Sequence, residues 1–417
     1  MMITFRGDTS REAASNVMRV LDLFAGAGGF GLGFKLAGHT LLGSVELDRW
    51  ACETLRYNAG AEELVFQEDL TALKVESLNS LRGRVDVMIG GPPCQGFSVA
   101  GPQQKDPADP RNSLFKEFVR FADYLSPQMT IIENVPGLLK RKTSEGRPVI
   151  DVIVAALEEI GYETRHLLLR AHEFGAPQIR ERLFVFGFRP AVLKQKPWIA
   201  PEPTHGELNI FATLEPFVTL WDAISDLPSP SETDDPIPYS PVRNEYQASM
   251  RRGSLGVANH VSMKHTPRLI ERFKQISWGE SQSNVNSEEL RPRKRFAHST
   301  GETYDQNNRR MFPHRPCHTL AASFYANFLH PYEHRNFTAR EGARIQGFPD
   351  WYVFKGLRTT PSHSLLRREN RLDEIGLCQY NQIGNAVSPI LSKAIAIHIE
   401  KWVTNQASLE TEFARVG

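Results

Sequence analysis

The sequence predicts an α/β fold in which helices flank a mostly parallel β-sheet. The first observation is a glycine-rich loop, residues 25–29, between an apolar run at 19–24 and a helical stretch at 30–37. The second is that short apolar runs alternate with helical stretches as far as residue 189. This alternation is typical of parallel sheets, which bind ligands at the carboxyl ends of their strands.

The composition is that of a globular protein long enough for two domains, with 417 residues, 41% hydrophobic and 23% charged. No run approaches the roughly 18 consecutive apolar residues of a membrane span, and the start of the chain lacks the apolar core of a signal peptide. We therefore expect a cytoplasmic protein with no membrane partner. The four cysteines include no Cys-x-x-Cys pair, which argues against a disulfide framework and predicts no metal site.

The first loop resembles a nucleotide-binding turn. Its pattern Gly26-x-Gly28-x-x-Gly31 matches the dinucleotide fingerprint, and Glu46 follows the second predicted strand, residues 41–45, where an acid would bind a ribose hydroxyl. The alternative is a glycine-rich turn without a ligand.

Further strands are predicted at residues 64–66, 85–89 and 129–132. Asp69, Cys94 and Glu133 each follow one of them, so the strand ends carry two carboxylates and a thiol. Two prolines stiffen the backbone before Cys94, and glycines flank the loop, as expected for a presented nucleophile. The alternative is a buried, inert cysteine.

Two β-rich runs, 163–169 and 182–188, predict an antiparallel pair. Alternation along the second arm places Gln178, Arg180 and Arg182 on one face, where their donors could meet an anion or a base. A solvated charged strand is the alternative.

Charge separates along the chain after residue 188, although the net charge is only +1. Residues 201–240 contain eight acids and no Lys or Arg, whereas residues 243–315 contain fourteen bases and seven acids. The second segment includes the run Arg293, Lys294 and Arg295, which suits contact with phosphates. A solvated face is the alternative.

The C-terminal part contains two predicted helices. Thr338 lies three residues before Glu341, which is the spacing of a capping box. Apolar residues recur at helical spacing over residues 390–402.

Five segments together resemble the bacterial DNA (cytosine-5)-methyltransferase family, and they occur in the order of its motifs. The segments are DLFAGAGG at 22–29, PPCQ at 92–95, ENV at 133–135, QIRER at 178–182 and GN at 384–385. The resemblance covers residues 19–190 and 315–400, and the segment between them corresponds to the family's variable target-recognition region. It implies a Rossmann-like, class I S-adenosylmethionine-dependent methyltransferase fold with a smaller, irregular recognition domain.

The family's organisation implies boundaries for this chain. The catalytic domain would comprise residues 19–189 and 376–417, after an N-terminal extension at 1–18. Residues 190–330 would form the target-recognition domain, and 331–375 would connect it back to the catalytic domain.

The resemblance also implies a mechanism. Cys94 would add to carbon 6 of a cytosine flipped out of double-stranded DNA, so that carbon 5 can attack the methyl group of S-adenosylmethionine, leaving S-adenosylhomocysteine. Glu133 would act at ring nitrogen 3 and Arg182 at the 2-oxo group, while Arg180 or Arg182 would favour the thiolate.

The same resemblance assigns binding residues. Those for the cofactor are Phe24, Ala25, Gly26, Gly28, Gly29, Glu46, Leu47, Asp69, Leu70, Pro92, Asn385, Ala386 and Val387. Those for DNA are Gln95, Ser98, Gln178, Arg293, Lys294 and Arg295.

Other functions account for fewer of these residues. A nicotinamide-dependent dehydrogenase would leave Cys94 and Glu133 unexplained, and adenine amino-methyltransferases carry an aromatic residue where Cys94 stands. The alternatives left open are a transfer RNA cytosine-5 methyltransferase of the same family and a catalytically silent DNA-binding regulator. We expect a prokaryotic, nucleoid-associated monomer that protects host DNA in restriction-modification or phage defence, alongside a cognate restriction or defence-system protein.

Overall fold

The fold is built on one large sheet. The computed structural model describes residues 17–93, 114–143, 145–193, 197–207, 213–233, 235–291, 307–359, 363–371 and 375–416. Within these residues seven strands form the sheet: β1 (Arg19–Leu23), β2 (Thr40–Glu46), β3 (Leu64–Gln67), β4 (Val87–Gly90), β5 (Met129–Asn134), β6 (Glu163–Arg170) and β8 (Glu181–Phe188). Their order is β3-β2-β1-β4-β5-β8-β6, which confirms the predicted fold class.

The direction of the strands decides which residues meet at the functional edge. Strands β1 to β5 are parallel to one another, whereas β8 is antiparallel to both β5 and β6. The predicted antiparallel pair is therefore confirmed. Because β8 runs against β5, its first residues lie beside the last residues of β5, with Leu183 opposite Asn134.

Helices lie on both faces of the sheet, and further helices belong to the remaining region. They are α1 (Gly29–Leu36), α2 (Arg49–Asn58), α3 (Leu114–Leu125), α4 (Val149–Glu159), α5 (Pro190–Leu193), α6 (Leu220–Ile224), α7 (Glu245–Arg251), α8 (Pro267–Lys274), α9 (Phe324–Asn327), α10 (Ala339–Gln346), α11 (His363–Arg368), α12 (Gln379–Asn385) and α13 (Pro389–Val416). Among these helices none has the length and apolarity to cross a bilayer.

Alternation along the strands creates two apolar cores. In β1, Leu21 faces a core shared with Phe118 and Phe121 of α3, while Val20 faces a core shared with Phe34 of α1 and Ile395 of α13. Successive side chains of a strand point to opposite faces, so a buried strand must be apolar on both. These cores hold the strand ends, and therefore the loops that follow them, in fixed positions.

Short strands and a third core form the remaining region. The short strands are β7 (Gln178–Ile179), β9 (His205–Gly206), β10 (Glu215–Pro216), β11 (Arg309–Arg310), β12 (Cys317–His318) and β13 (Phe328–Leu329). Strand β12 pairs with β7, which lies just before β8. The third core includes Leu220 of α6, Phe324 of α9 and Tyr380 of α12. The pairing therefore brings residues after 317 to the edge of the large sheet.

Helix α10 is fixed at both of its ends. Thr338 and Glu341 form the predicted capping box, and Gly347 ends the helix with a φ of 96°. Near the C-terminal end, the fully buried Arg344 pairs with Asp226 at 3.1 Å and with Asp350 at 2.6 Å. A paired, hydrogen-bonded charge network of this kind holds one geometry, because any shift would leave a buried charge without a partner.

Candidate active site

One cavity of about 680 Å³ opens at the carboxyl edge of the sheet. Its wall comes from the ends of β1, β2, β4 and β5, the start of β8, and residues 319–322 and 384–387. This is the edge at which parallel sheets bind ligands. The volume lies within the range of small-molecule sites, roughly 300–1,000 Å³.

The loop between β1 and α1 forms the floor of one half of the cavity. Phe24 has a φ of 56°, a left-handed conformation that is uncommon outside glycine and occurs often at ligand sites. Gly26 has a φ of 55°, and a Cβ placed there would meet no atom within 4 Å. Both residues line the cavity, so the backbone turns sharply here and leaves open space above Gly26.

Glu46, at the end of β2, faces the same loop. Its carboxylate accepts hydrogen bonds from the backbone N–H groups of Gly26 at 2.7 Å, Leu47 at 2.9 Å and Asp48 at 2.8 Å. Burial raises the pKa of Glu46, while these hydrogen bonds favour its ionised form. A carboxylate oriented in this way retains lone pairs that can accept from hydroxyl groups.

Gly28 and Gly29 do not line the cavity, and their contact with a cofactor stays a prediction. A Cβ on Gly28 would lie 2.6 Å from Cδ2 of Leu55, and one on Gly29 would lie 2.3 Å from the carbonyl oxygen of Val387. These glycines instead let α1 start close to α2 and to residues 384–387. The glycines of the fingerprint therefore allow close packing of α1 as well as the sharp turn of the ligand loop.

The other residues predicted for the cofactor lie around this half of the cavity. They are Ala25, Leu47, Asp69, Leu70, Pro92, Asn385, Ala386 and Val387. Asp69 accepts from the backbone N–H and hydroxyl of Thr71 at 2.8 and 2.7 Å, which orients its carboxylate. Contact between these residues and a cofactor stays a prediction.

Glu133 and Arg182 meet in the other half of the cavity. Arg182 Nε lies 2.9 Å from Glu133 Oε1, and the two side chains are only 13% and 12% exposed. They meet because β8 starts beside the end of β5. Burial lowers the pKa of Arg182 and the Glu133 carboxylate opposes that shift. The pair can therefore present a guanidinium and a carboxylate side by side to one planar polar molecule.

Asn134 connects this pair to the segment that leads to Cys94. Its Nδ2 donates to the carbonyl oxygen of Pro92 at 3.2 Å, and its Oδ1 accepts from the N–H of Val135. Pro92 and Pro93 line the cavity. The predicted site residues beyond Pro93 and in the basic run lie outside the described residues, namely Cys94, Gln95, Ser98, Arg293, Lys294 and Arg295.

Gln178 and Arg180 both hydrogen-bond to other parts of the chain. Gln178 is fully buried and hydrogen-bonds Leu320 and Gln346, and its contact with DNA stays a prediction. Arg180 lines the cavity, but its terminal nitrogens donate to the carbonyl oxygens of Leu320, Gly384 and Ala386. Its influence on the thiol stays a prediction.

Part of the cavity wall was not predicted from the sequence. Thr319, Leu320, Ala321 and Ala322 line the cavity, yet they are small or apolar and carry no catalytic pattern. Asp22 was part of a motif but had no predicted role. It is 1% exposed, and its Oδ2 accepts from the N–H of Gly31 at 3.0 Å. Its position near the end of the first predicted strand is the sequence signal that could have marked Asp22 as a residue of the site.

Two curated relatives match nearly the whole chain. It is 43% identical to the type II methyltransferase M.DdeI of Desulfomicrobium norvegicum, covering 93% of this chain and 90% of that protein. It is 32% identical to the type II methyltransferase M1.HphI of Haemophilus parahaemolyticus, covering 93% and 87% respectively.

A solved structure and a family model agree with these relatives. The structure is described as a DNA modification methyltransferase encoded within an E. coli prophage. It matches with a TM-score of 0.68 and 26% identity over 93% of this chain and 99% of that one. The family model for C-5 cytosine-specific DNA methylases matches residues 18–401. The chain therefore belongs to the C-5 cytosine-specific DNA methylase family and is a DNA (cytosine-5)-methyltransferase.

Proposed function

We propose that this enzyme transfers a methyl group from S-adenosylmethionine to carbon 5 of a flipped cytosine, with Cys94 as the covalent nucleophile. The observation that carries the proposal is the shape of the cavity, which joins two chemically different halves. One half has the Phe24 loop and the Glu46 carboxylate, and the other has the Glu133–Arg182 pair. A donor and a base would therefore lie side by side in one cavity.

The first half fits S-adenosylmethionine by the chemistry of its donor set. Glu46 offers carboxylate oxygens to ribose hydroxyls, Phe24 offers an aromatic face to adenine, and Asp69 offers an acceptor to the adenine amino group. The open space above Gly26 leaves room close to the backbone. When bound, the cofactor supplies an electrophilic methyl group on a sulfonium. Asn385 would lie at the methionine end.

The second half fits cytosine. We propose that Arg182 donates to the 2-oxo group, while Glu133 holds a proton at ring nitrogen 3. As the Cys94 thiolate forms a bond to carbon 6, the ring's electron density moves toward carbon 5 and nitrogen 3, and this proton neutralises it. After methylation a base removes the carbon 5 proton, the sulfur–carbon bond breaks, and the free thiolate returns.

The target must leave the helix to reach these groups. Glu133 and Arg182 are nearly buried, whereas a paired cytosine exposes only its edges in the grooves. Extrusion costs a few kcal/mol, which contacts in the cavity and along the backbone would offset. We propose residues 190–330 as the target-recognition domain, with the enzyme acting as a monomer.

Neutralising the basic run is expected to weaken the salt dependence of DNA binding. The change is Arg293→Gln, Lys294→Gln and Arg295→Gln together. Each lost phosphate contact should reduce the slope of log K against log salt by roughly 0.9. The slope is measured by fluorescence anisotropy with a labelled duplex. Replacing Arg49, Arg82 and Arg84, which lie on another part of the chain, provides the control. An unchanged slope in the first variant would exclude the run from the interface.

Two relatives that carry the names of type II methyltransferases support a proposal about the cellular role. We propose that this enzyme protects host DNA in a restriction-modification system, with a separate nuclease as its partner. Defence against phage would use the same chemistry.

Bisulfite sequencing of a host that expresses the protein tests the proposed function. We expect protected cytosines at one short DNA sequence, and none in a host that expresses Cys94→Ser. Transfer RNA from the same cells serves as the second substrate. Protection in transfer RNA alone would favour the RNA branch of the family, and protection in neither would favour a silent regulator.

A further inference from the structure

A closed ring of buried hydrogen bonds connects segments that line the two halves of the cavity. The Leu320 N–H donates to Gln178 Oε1 at 2.7 Å, and Gln178 Nε2 donates to Gln346 Oε1. Gln346 Nε2 then donates to the carbonyl oxygen of Ala386. Arg180 closes the ring by donating to the carbonyl oxygens of Leu320 and Ala386, both at 3.0 Å.

The ring is shielded from water. Gln178 and Gln346 are 0% exposed and Arg180 is 2% exposed. Each glutamine uses both ends of its amide, so one orientation satisfies the ring and a flipped amide would place donor against donor. A buried polar group that loses its partner is not rescued by solvent. The ring therefore permits one relative position of the segments that it joins.

Those segments form different parts of the active site. Leu320 lies in the segment 319–322, which belongs to the proposed target-recognition domain and lines the cavity. At the start of this segment, the Thr319 hydroxyl donates to the carbonyl oxygen of Ile179, three residues before Arg182. Ala386 lies between Asn385 and Val387 on the cofactor side. The two segments also touch, because a Cβ on Gly384 would lie 2.3 Å from the carbonyl oxygen of Ala321.

Gln346 ties both segments to a rigid support. It is the last residue of α10, whose start is capped by Thr338 and whose end is held by the Arg344 ion pairs. Gln346 does not line the cavity, so it acts on the ligands only through Gln178 and Ala386. A shift of the 319–322 segment would break the ring at Gln178 and release the Ala386 carbonyl.

We propose that Gln346 is a positioning residue that couples DNA binding to binding of the methyl donor. This inference rests on the proposed function, which places the donor beside Asn385 and the flipped cytosine beside Arg182. DNA that holds the 319–322 segment in the position described here favours the closed ring and thereby holds the donor loop. The coupling is reciprocal, so a bound donor must raise the affinity for DNA by the same factor.

Calorimetric titration of the full chain with S-adenosylhomocysteine, with and without duplex DNA that contains the target, tests the coupling. In the unmodified enzyme DNA should tighten binding by at least about fivefold. In Gln346→Met, which keeps the side-chain length and removes the hydrogen bonds, the effect of DNA should fall below about twofold. Gln178→Met, on another element, should reproduce this loss.

Gln247→Leu is the matched control. Gln247 is also fully buried, and its Nε2 donates to the Asp222 carbonyl and the Ser225 hydroxyl, both at 2.8 Å, away from the ring. It should lower thermal stability as the ring variants do, yet keep the effect of DNA on the affinity. Full coupling in Gln346→Met would overturn the proposal, as would equal loss in Gln247→Leu. An unmodified enzyme that fails to bind S-adenosylhomocysteine would instead overturn the proposed donor.

Discussion

Replacing Cys94 with serine is expected to abolish methyl transfer to DNA while folding and cofactor binding persist. A cysteine thiol has a pKa of about 8.5 and gives a useful fraction of thiolate when cationic groups are near, whereas a serine hydroxyl stays protonated. Without the bond to carbon 6, carbon 5 stays a poor nucleophile. We expect the rate to fall by at least about 10⁴-fold, as for other covalent nucleophiles.

Transfer of tritiated methyl groups to duplex DNA measures this loss. Cys378→Ser is the matched control, because the Cys378 thiol donates to Asn381 Oδ1 at 3.0 Å before α12, a contact that a hydroxyl can replace. The control should keep its activity. Calorimetry with S-adenosylhomocysteine checks that the Cys94 variant still binds the cofactor. Full activity of Cys94→Ser would refute the nucleophile assignment.

Glu133→Gln is expected to lower kcat by about 10²–10⁴-fold, the range for a general acid–base residue. Glutamine keeps the size and a hydrogen-bonding oxygen toward Arg182, but it cannot carry or release the proton at ring nitrogen 3. Because the ground-state contacts survive, the affinities for DNA and cofactor should change far less. Single-turnover methylation rates, compared with equilibrium binding constants, separate the two effects.

Glu181→Gln provides the control for this prediction. Glu181 lies next to Arg182 in β8 and pairs with the exposed Arg170 at 2.8 Å. A surface ion pair of this kind contributes at most about 1 kcal/mol, so the rate should stay near that of the unmodified enzyme. If Glu133→Gln also keeps its kcat, Glu133 only orients Arg182 and does not handle a proton.

The sequence predicted well the strands and the polar residues that follow them, because both depend on local signals. Apolar runs gave β1 to β5, and the polar residue after each run lies at the same edge of the sheet, as for Asp69 and Glu133. The capping box at Thr338 was equally local. Such patterns are read within one element and do not depend on what packs against it.

The sequence was least informative about residues whose partners are distant in the chain. Alternation placed Gln178 correctly on one face with Arg180, but it could not show that Leu320 and Gln346 cover that face. Likewise the fingerprint did not show that Gly29 packs against residue 387. Partners more than a hundred residues away leave no periodic trace in one sequence.

The sequence by itself determined the fold class, the family and the kinds of side chain available for catalysis, since buried strands and Pro/Gly turns are local requirements of the backbone. Only the tertiary structure determined which side chains are free to meet a substrate and which hold other parts of the chain in place. Arg180 and Arg182 are two residues apart and equally basic. Arg182 reaches Glu133 because β8 runs antiparallel to β5, whereas three main-chain carbonyl oxygens surround Arg180. The difference lies in what packs against each side chain, and packing is a property of the whole chain.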